Sequence, residues 1–162
     1  MKYSIDFLPN KKKEDLNRLV QLIRKHLPKV QMIILFGSTA RNEYVDFDER
    51  FEFGVHTIYR SDYDILLVTY KQRSFAVEKA ITKIQRDYEL CAITPTPVQI
   101  IHDSIFKVNS DLSEGRYFYV EIQREGVMLY DSGKFKLVQP RKLRYDEIKK
   151  QAEEYPIDTA DF

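Results

Sequence analysis

The stretch that decides the fold reads Met32-Ile-Ile-Leu-Phe-Gly37-Ser38-Thr-Ala-Arg41, and it continues after an insert as Ser61-Asp62-Tyr63-Asp64-Ile-Leu-Leu-Val68. The first segment is an apolar run typical of a strand buried on both faces, and it ends in a Gly-Ser turn that opens a short helix. The second segment is another apolar run that begins with two aspartates. This order predicts a strand, a turn, a short helix and a second strand that carries a carboxylate pair at its start.

The carboxylate pair consists of Asp62 and Asp64. Residues i and i+2 of a strand point to the same face, so these two side chains are expected to stand side by side. Two carboxylates held that close repel each other unless a cation lies between them, and hard oxygen ligands suit Mg²⁺. The spacing therefore predicts that Asp62 and Asp64 are catalytic residues that bind Mg²⁺.

The Gly37-Ser38 turn offers backbone N–H groups and a hydroxyl to a phosphate. A tight turn with a helix cap would use the same two residues without any ligand. Arg41 follows one helical turn later, where it could reach a triphosphate or pair with Asp46 or Asp48. A phosphate-binding turn beside a metal-binding carboxylate pair is typical of phosphoryl or nucleotidyl transfer.

At these residues the chain resembles the DNA polymerase beta superfamily of nucleotidyltransferases, in particular the minimal nucleotidyltransferases. The resemblance extends from about Lys11 to Lys136. It implies a small mixed α/β sheet with helices packed mainly on one face, and the transfer of a nucleotidyl group from Mg²⁺-bound ATP or another nucleoside triphosphate to a hydroxyl acceptor. It also implies a nucleotide-binding role for Gly37, Ser38 and Arg41.

Relatives of this size commonly occur with a helical HEPN domain, either fused or as the partner in a toxin–antitoxin pair. The antitoxin can adenylylate that partner, so a partner protein is a candidate acceptor. We expect residues 1–142 to form the nucleotidyltransferase-like domain. Residues 143–162 are expected to be a linker or the start of a C-terminal helical region.

The sequence departs from the family pattern at the third carboxylate. The family places an acid on the strand after the intervening helix, and Gln99 occupies the most similar position. An amide cannot take a proton near neutral pH. Asp103 lies on the same predicted strand face but roughly 12 Å or more further along, and His102 points to the opposite face. The alternative function is therefore a catalytically silent nucleotide-binding or protein-interaction module of the antitoxin type.

The insert between the turn and the carboxylates has two alternating stretches around Gly54, which predict an inserted β-hairpin within Tyr44–Tyr59. Its acidic residues could supply a missing ligand, although a solvated hairpin face is the default explanation for them. An acidic pocket formed by these residues would suit a polycationic substrate, so aminoglycoside nucleotidylation is a third alternative. The acids are Asp46, Asp48, Glu49 and Glu52.

A single helix is predicted from Asp103 or Ser104 through Arg124, with Gly126 after its end. Several of its side chains could line a nucleotide base or a partner site, while amphipathic packing explains the tyrosines as well. These side chains are Lys107, Arg116, Tyr117, Tyr119 and Arg124. The preceding helix is predicted from Ser74 to about Leu90, with Phe75, Ala80, Ile81, Ile84 and Tyr88 directed inward.

Composition limits the remaining functional classes. The 162 residues suit one domain, and 26 basic against 25 acidic residues create no strong attraction to nucleic acid. A single cysteine, Cys91, and the lack of a long apolar segment predict a cytoplasmic protein without a membrane span. The 11 tyrosines and 10 phenylalanines offer material for an interface, including one between copies of the chain.

Overall fold

The computed structural model describes residues 1–46 and 48–140, and within the inserted hairpin it describes the side chains of residues 51 and 53–56. The predicted C-terminal segment 143–162 lies outside this range. The elements in chain order are α1 (Asn10–His26), β1 (Met32–Phe36), α2 (Gly37–Ala40), β2 (Asp48–Glu52), β3 (Val55–Tyr59), β4 (Tyr63–Thr69), α3 (Ser74–Glu89), β5 (Val98–Ser104), α4 (Ile105–Ser113), α5 (Tyr117–Glu125) and β6 (Val127–Asp131).

The main sheet has four strands in the order β5-β4-β1-β6. Strand β1 is antiparallel to both β4 and β6, whereas β4 and β5 are parallel. The two central strands are β1 and β4, and every residue in them is buried, which explains their unbroken apolar sequence. The predicted mixed α/β sheet flanked by helices is confirmed.

Helices cover both faces of this sheet. Ile33 and Leu35 of β1 face a core formed with α1 and α3. The alternate residues Met32 and Ile34 face a second core formed with α4 and α5. The prediction that helices pack mainly on one face is therefore wrong. Because both faces of β1 are apolar, each face requires its own helical cover.

The predicted hairpin is confirmed, with β2 and β3 pairing as a separate two-stranded sheet. Several contacts attach its base to the domain. The Val45 N–H donates to the Ser61 hydroxyl at 2.8 Å. Lys12 Nζ lies 2.7 Å from a carboxylate oxygen of Asp46, and this lysine belongs to α1. The insert therefore begins beside the helix that covers the first core, and its end returns to its own start at Ser61.

The single helix predicted after β5 is wrong, because the chain forms α4 and α5 with a break between them. Gly115 lies in this break with φ +73°, a left-handed conformation that ends one helix before the next begins. The Ser104 hydroxyl accepts from the Lys107 N–H at the start of α4, as expected of a capping residue. None of the described helices has the length and apolar character needed to cross a membrane.

Candidate functional site

The Gly-Ser turn and the carboxylate pair meet where β1 ends and β4 begins. Because these strands are antiparallel, Phe36 at the end of β1 lies opposite Asp64. Gly37 follows with φ +79°, and a Cβ atom added to it would lie 2.4 Å from Oδ2 of Asp64. Only glycine combines that backbone conformation with so close a carboxylate. The turn is thus packed directly against Asp64, which is itself buried.

Asp62 is linked to the same site by a hydrogen bond from the neighbouring strand β5. The parallel pairing of β4 and β5 places Gln99 opposite Asp64. The Gln99 side-chain amide then donates a hydrogen bond of 3.0 Å to Oδ2 of Asp62. The structure therefore brings together Asp62, Asp64 and Gln99 at the end of the sheet where Gly37 lies.

The donor set at this point fits a hard divalent cation such as Mg²⁺. Asp62 and Asp64 supply carboxylate oxygens, which are the ligands that Mg²⁺ prefers. The Gln99 amide, turned over, would present its carbonyl oxygen as a weaker ligand. Among the residues whose side chains the structure describes, no group of three or more Asp, Glu, His or Cys side chains could hold a metal. Phosphate oxygens of a nucleotide, together with water, would complete the coordination.

Arg41 lies one residue beyond α2 and is held by two glutamates. Its Nε atom is 3.1 Å from Oε2 of Glu43, and its Nη1 atom is 3.9 Å from Oε2 of Glu125. These partners replace the expected pairing with Asp46, which binds Lys12 instead. The side chain of Asp48, the other expected partner, lies outside the described residues, as do those of Glu49 and Glu52.

A cavity of about 310 Å³ lies between α5 and the turn that joins β1 to α2. Gly37 and Arg41 form one side of it, and side chains of α5 form the other. Tyr117 is 44% exposed at the start of α5. Burial raises the pKa of the Tyr117 hydroxyl, and the nearby Glu121 carboxylate adds to that rise. The cavity therefore combines aromatic surface with charged groups beside the carboxylate site.

Asp103 is separated from this site, as the sequence predicts. It pairs with Val68, four residues along β5 from the Gln99 level. The Tyr119 hydroxyl donates to the Asp103 carboxylate. Burial raises the pKa of this carboxyl, although Lys107 opposes the rise. His102 faces the other side of the sheet, where its Nε2 atom is 3.6 Å from Oε1 of Glu78.

The other polar side chains of α4 and α5 mainly form ion pairs close in sequence. Lys107 Nζ is 2.8 Å from Oδ2 of Asp111, and Arg116 Nε is 3.3 Å from Oε2 of Glu114. Arg124 pairs with Glu121. Tyr119 belongs to the second core, whereas Tyr117 lines the cavity. Of the two candidate tyrosines, only Tyr117 is therefore placed to meet a ligand there.

The cavity also contains three glutamates that the sequence motifs do not single out: Glu43, Glu121 and Glu125. Glu43 follows the Gly-Ser helix closely, and the glutamates of α5 are spaced i and i+4 on one helical face. This spacing indicates that the two glutamates of α5 lie together on one face of the helix. It could not indicate that α5 approaches Arg41, because that contact depends on how the helix packs on the sheet.

No family model matches this chain, and no curated protein is significantly similar to it. Among solved structures it is similar to the complex of tri-AMPylated Shewanella oneidensis HEPN toxin with MNT antitoxin, at 14% identity, TM-score 0.41, and coverage of 87% of this chain and 81% of that chain. A toxin–antitoxin structure with AMP-PNP gives 18% identity, TM-score 0.42, and coverage of 74% and 75%. The MntA-HepT toxin–antitoxin structure gives 16% identity, TM-score 0.40, and coverage of 74% and 73%.

Proposed function

We propose that this chain binds a nucleoside triphosphate at the Gly37-Ser38 turn and transfers its nucleotidyl group to a hydroxyl acceptor. The observation that carries the proposal is the contact between Gly37 and Asp64, where an added Cβ atom would lie 2.4 Å from the carboxylate. A phosphate bound to the backbone N–H groups of the turn would lie next to that carboxylate. This is the arrangement that phosphoryl chemistry requires, because the phosphates and the cation-binding oxygens must be adjacent.

Each side chain has a defined task in this proposal. The first N–H groups of α2 have no acceptor within the helix and would bind phosphate oxygens together with the Ser38 hydroxyl. Asp62 and Asp64 would hold Mg²⁺, which neutralises phosphate charge when bound. Arg41 would contact the phosphates after leaving Glu43 or Glu125. The acceptor oxygen bonds to the α-phosphorus, the bond from that phosphorus to the bridging oxygen breaks, and pyrophosphate leaves.

Removal of the proton from the acceptor hydroxyl is the step for which this chain is least equipped. Gln99 stands where the family resemblance implies an acid, and its amide cannot accept that proton. The proton would pass to water or to the departing pyrophosphate, so we expect slow transfer. A catalytically silent nucleotide-binding or interaction module is the second candidate, and the Gln99–Asp62 hydrogen bond favours it.

The proposed partner is a helical HEPN protein or domain, which would present the acceptor hydroxyl. This part of the proposal rests on the sequence resemblance at Gly37, Ser38, Arg41, Asp62 and Asp64. A partner-supplied acceptor would also explain why a chain with balanced charge needs no general attraction to nucleic acid.

Calorimetry with ATP tests the binding half of the proposal. We expect binding in Mg²⁺ that is lost in EDTA and strongly reduced in Asp64→Asn. Lys134→Ala is a suitable control, because this lysine lies in the turn after β6, away from the site. Binding that survives both EDTA and Asp64→Asn would contradict the proposed role of the carboxylates. Incubation with α-labelled ATP and a HEPN protein then measures transfer itself, and label on the partner is the expected result.

A further inference from the structure

A second cavity, of about 540 Å³, lies at the end of the sheet opposite the carboxylate site. It is formed where the end of α1 meets the start of α3, beside the loop that follows β4. Asp64 is near the start of β4 and this loop is at its end, so the length of a seven-residue strand, roughly 20 Å, separates the two sites. A ligand in this cavity would therefore leave the carboxylate site open.

The side chains that line this cavity carry an excess of positive charge. Three of them are exposed cations: Lys29, Lys71 and Arg73. Within the described part of the chain, none of the three forms an ion pair, and no carboxylate lines the cavity. A fourth basic residue, His26, is hydrogen-bonded to Asp87 at 2.8 Å. The near-zero net charge of the whole chain therefore conceals a local concentration of cations.

Helix stability does not explain the cations at the start of α3. This helix has no acidic residue in its first turn, and Arg73 at its N-cap makes no side-chain capping hydrogen bond. Cations near a helix N-terminus oppose the helix dipole, whereas an anion there is favourable. Lys71 also has φ +51°, a left-handed conformation that is costly for a residue other than glycine. A bound anion would offset this unfavourable charge, and locally unfavourable residues of this kind are often retained for function.

Aromatic rings extend from the cavity across the neighbouring surface. Tyr70 lines the cavity, and its ring centroid is 4.8 Å from that of Phe135 and 5.7 Å from that of Phe106. Phe106 is 60% exposed on α4. Lys71 Nζ lies 5.2 Å from the Tyr70 ring centroid, so the positive charge and the aromatic surface are contiguous. We call this the basic-aromatic surface, formed by Lys29, Tyr70, Lys71, Arg73 and Phe106.

We propose that the basic-aromatic surface binds a single-stranded nucleic acid, with phosphates at its cations and a base stacked on Phe106. Cations beside rings on which bases can stack are typical of such surfaces. A duplex keeps its bases stacked internally and would offer this surface mainly phosphates. The near-neutral net charge gives little long-range attraction, so we expect micromolar affinity at low salt. The inference does not depend on nucleotidyl transfer, because the two sites lie at opposite ends of β4.

The test is fluorescence anisotropy with labelled single strands of RNA and DNA of about 12 nucleotides. Three phosphate contacts should make log Kd rise with log salt concentration at a slope of about 2. Lys71→Glu should weaken binding about tenfold, because repulsion replaces a phosphate contact. Phe106→Ala should weaken it about fivefold or more, because a stacked base loses its ring.

Arg73→Ser separates binding from folding. Serine is a preferred N-cap residue, so this variant should keep or raise the melting temperature of the chain while it weakens strand binding. Lys11→Glu is the matched control for Lys71→Glu, because it changes the net charge equally at the other end of α1, roughly 22 Å from His26. Phe53→Ala removes an exposed ring of the inserted hairpin and is the control for Phe106→Ala. Both controls should bind the strands like the unmodified chain.

Several results would overturn the inference. The first is that neither strand binds, and the second is that Lys71→Glu and Lys11→Glu lose affinity equally, because binding would then follow net charge alone. Tighter binding of a duplex, of inorganic polyphosphate or of phosphatidylserine vesicles would assign the surface to another anionic ligand, as would an unchanged affinity in Phe106→Ala. Asp64→Asn should bind the strands normally, and Lys71→Glu should bind ATP like the unmodified chain. Loss of strand binding in Asp64→Asn would place the strand at the carboxylate site instead.

Discussion

The Gln99 amide donates a hydrogen bond of 3.0 Å to Oδ2 of Asp62, across the parallel pair of strands β4 and β5. A carboxylate at position 99 would instead repel Asp62 and would require a cation to hold the two together. The amide gives Asp62 a neutral partner that needs no cation. Asp62 is therefore held by an uncharged hydrogen-bond donor, and this affects both the stability and the chemistry of the site.

Replacing both aspartates by the double substitution Asp62→Asn and Asp64→Asn should not lower the melting temperature in metal-free buffer. The change removes two neighbouring negative charges and keeps side chains of nearly the same size, so charge repulsion is relieved. The measurement is thermal unfolding in EDTA. A drop of several degrees would indicate that the ionised carboxylates have stabilising partners in the fold, as a structural pair would.

Gly37→Ala should destabilise the protein more than a comparable change at another left-handed glycine. An alanine at φ +79° costs roughly 1–2 kcal/mol, and here its Cβ would also lie 2.4 Å from Asp64 Oδ2. We expect a total loss of about 3 kcal/mol in the free energy of unfolding, together with weakened ATP binding. Urea denaturation measures the first effect and calorimetry the second.

Gly133→Ala is the matched control, because Gly133 has the same φ of +79° and an added Cβ there meets no atom within 4 Å. Gly133→Ala should lower the free energy of unfolding only by the cost of placing alanine in the left-handed backbone conformation. Combining Gly37→Ala with Asp64→Ala should recover part of the loss, because the carboxylate in the way is removed. If Gly37→Ala and Gly133→Ala cost the same, Asp64 does not crowd the turn.

Asp103→Asn should make stability less dependent on pH in the acidic range. Burial raises the pKa of this carboxyl, so the folded chain binds its proton more tightly than the unfolded chain does. Its contribution to stability is therefore greatest below the unfolded pKa of about 3.9 and is lost as pH rises through the folded value. We expect Asp103→Asn, which still accepts from Tyr119, to match or exceed the unmodified chain at pH 7. The stability of Asp103→Asn relative to the unmodified chain should decline as pH falls toward about 4.

Asp87→Asn provides the opposite slope as a control. The hydrogen bond from His26 lowers the pKa of Asp87, with Nε2 and Oδ2 separated by 2.8 Å between α1 and α3. This contribution is present above the unfolded pKa and is lost as pH falls through the folded value. Asp87→Asn should therefore be less stable than the unmodified chain at pH 7, and the difference should shrink in acid. Parallel urea titrations at several pH values decide both cases, and slopes of the same sign would contradict one of them.

The central strands β1 and β4 were predictable because one physical requirement, burial on both faces, dominates their sequences. Both faces of β1 and β4 are buried, so each strand is an unbroken apolar run. The buried faces and the breaks of the helices were harder to predict from the sequence. Phe75 fits the apolar spacing of α3 yet is 79% exposed, while Val77 is buried in its place. Gly115 alone does not reveal a helix break, because glycine also occurs within helices at modest cost.

The candidate site was predictable in its residue types but not in its pairings. Asp62 and Asp64 follow from a local spacing, and the Gly-Ser turn follows from a local motif. The partners of Arg41 include Glu125, which is distant in sequence and reaches it only because α5 packs beside the end of β1. Long-range contacts of this kind depend on the packing of whole elements, which local patterns do not encode.

The rate of turnover depends on the residue at position 99. Gln99→Asp should increase nucleotidyl transfer, because it places a carboxylate opposite Asp64 on the neighbouring strand, within reach of Asp62. A general base typically contributes about 10²- to 10⁴-fold, and a shorter side chain in an unadapted site should recover only part of that, so we expect about tenfold. The assay is transfer from α-labelled ATP to a helical HEPN partner in Mg²⁺.

Gln99→Ala separates the two effects of this substitution, because it removes the hydrogen bond to Asp62 without adding a carboxylate. If the new acid acts as a base or cation ligand, only Gln99→Asp gains activity, and the gain should require Mg²⁺ and rise with pH as the carboxylate ionises. Equal gains in both variants would mean that the amide merely obstructs Asp62. No transfer by either variant would favour the silent nucleotide-binding module. Rapid transfer by the unmodified chain would show that the proton leaves by a route that does not involve position 99.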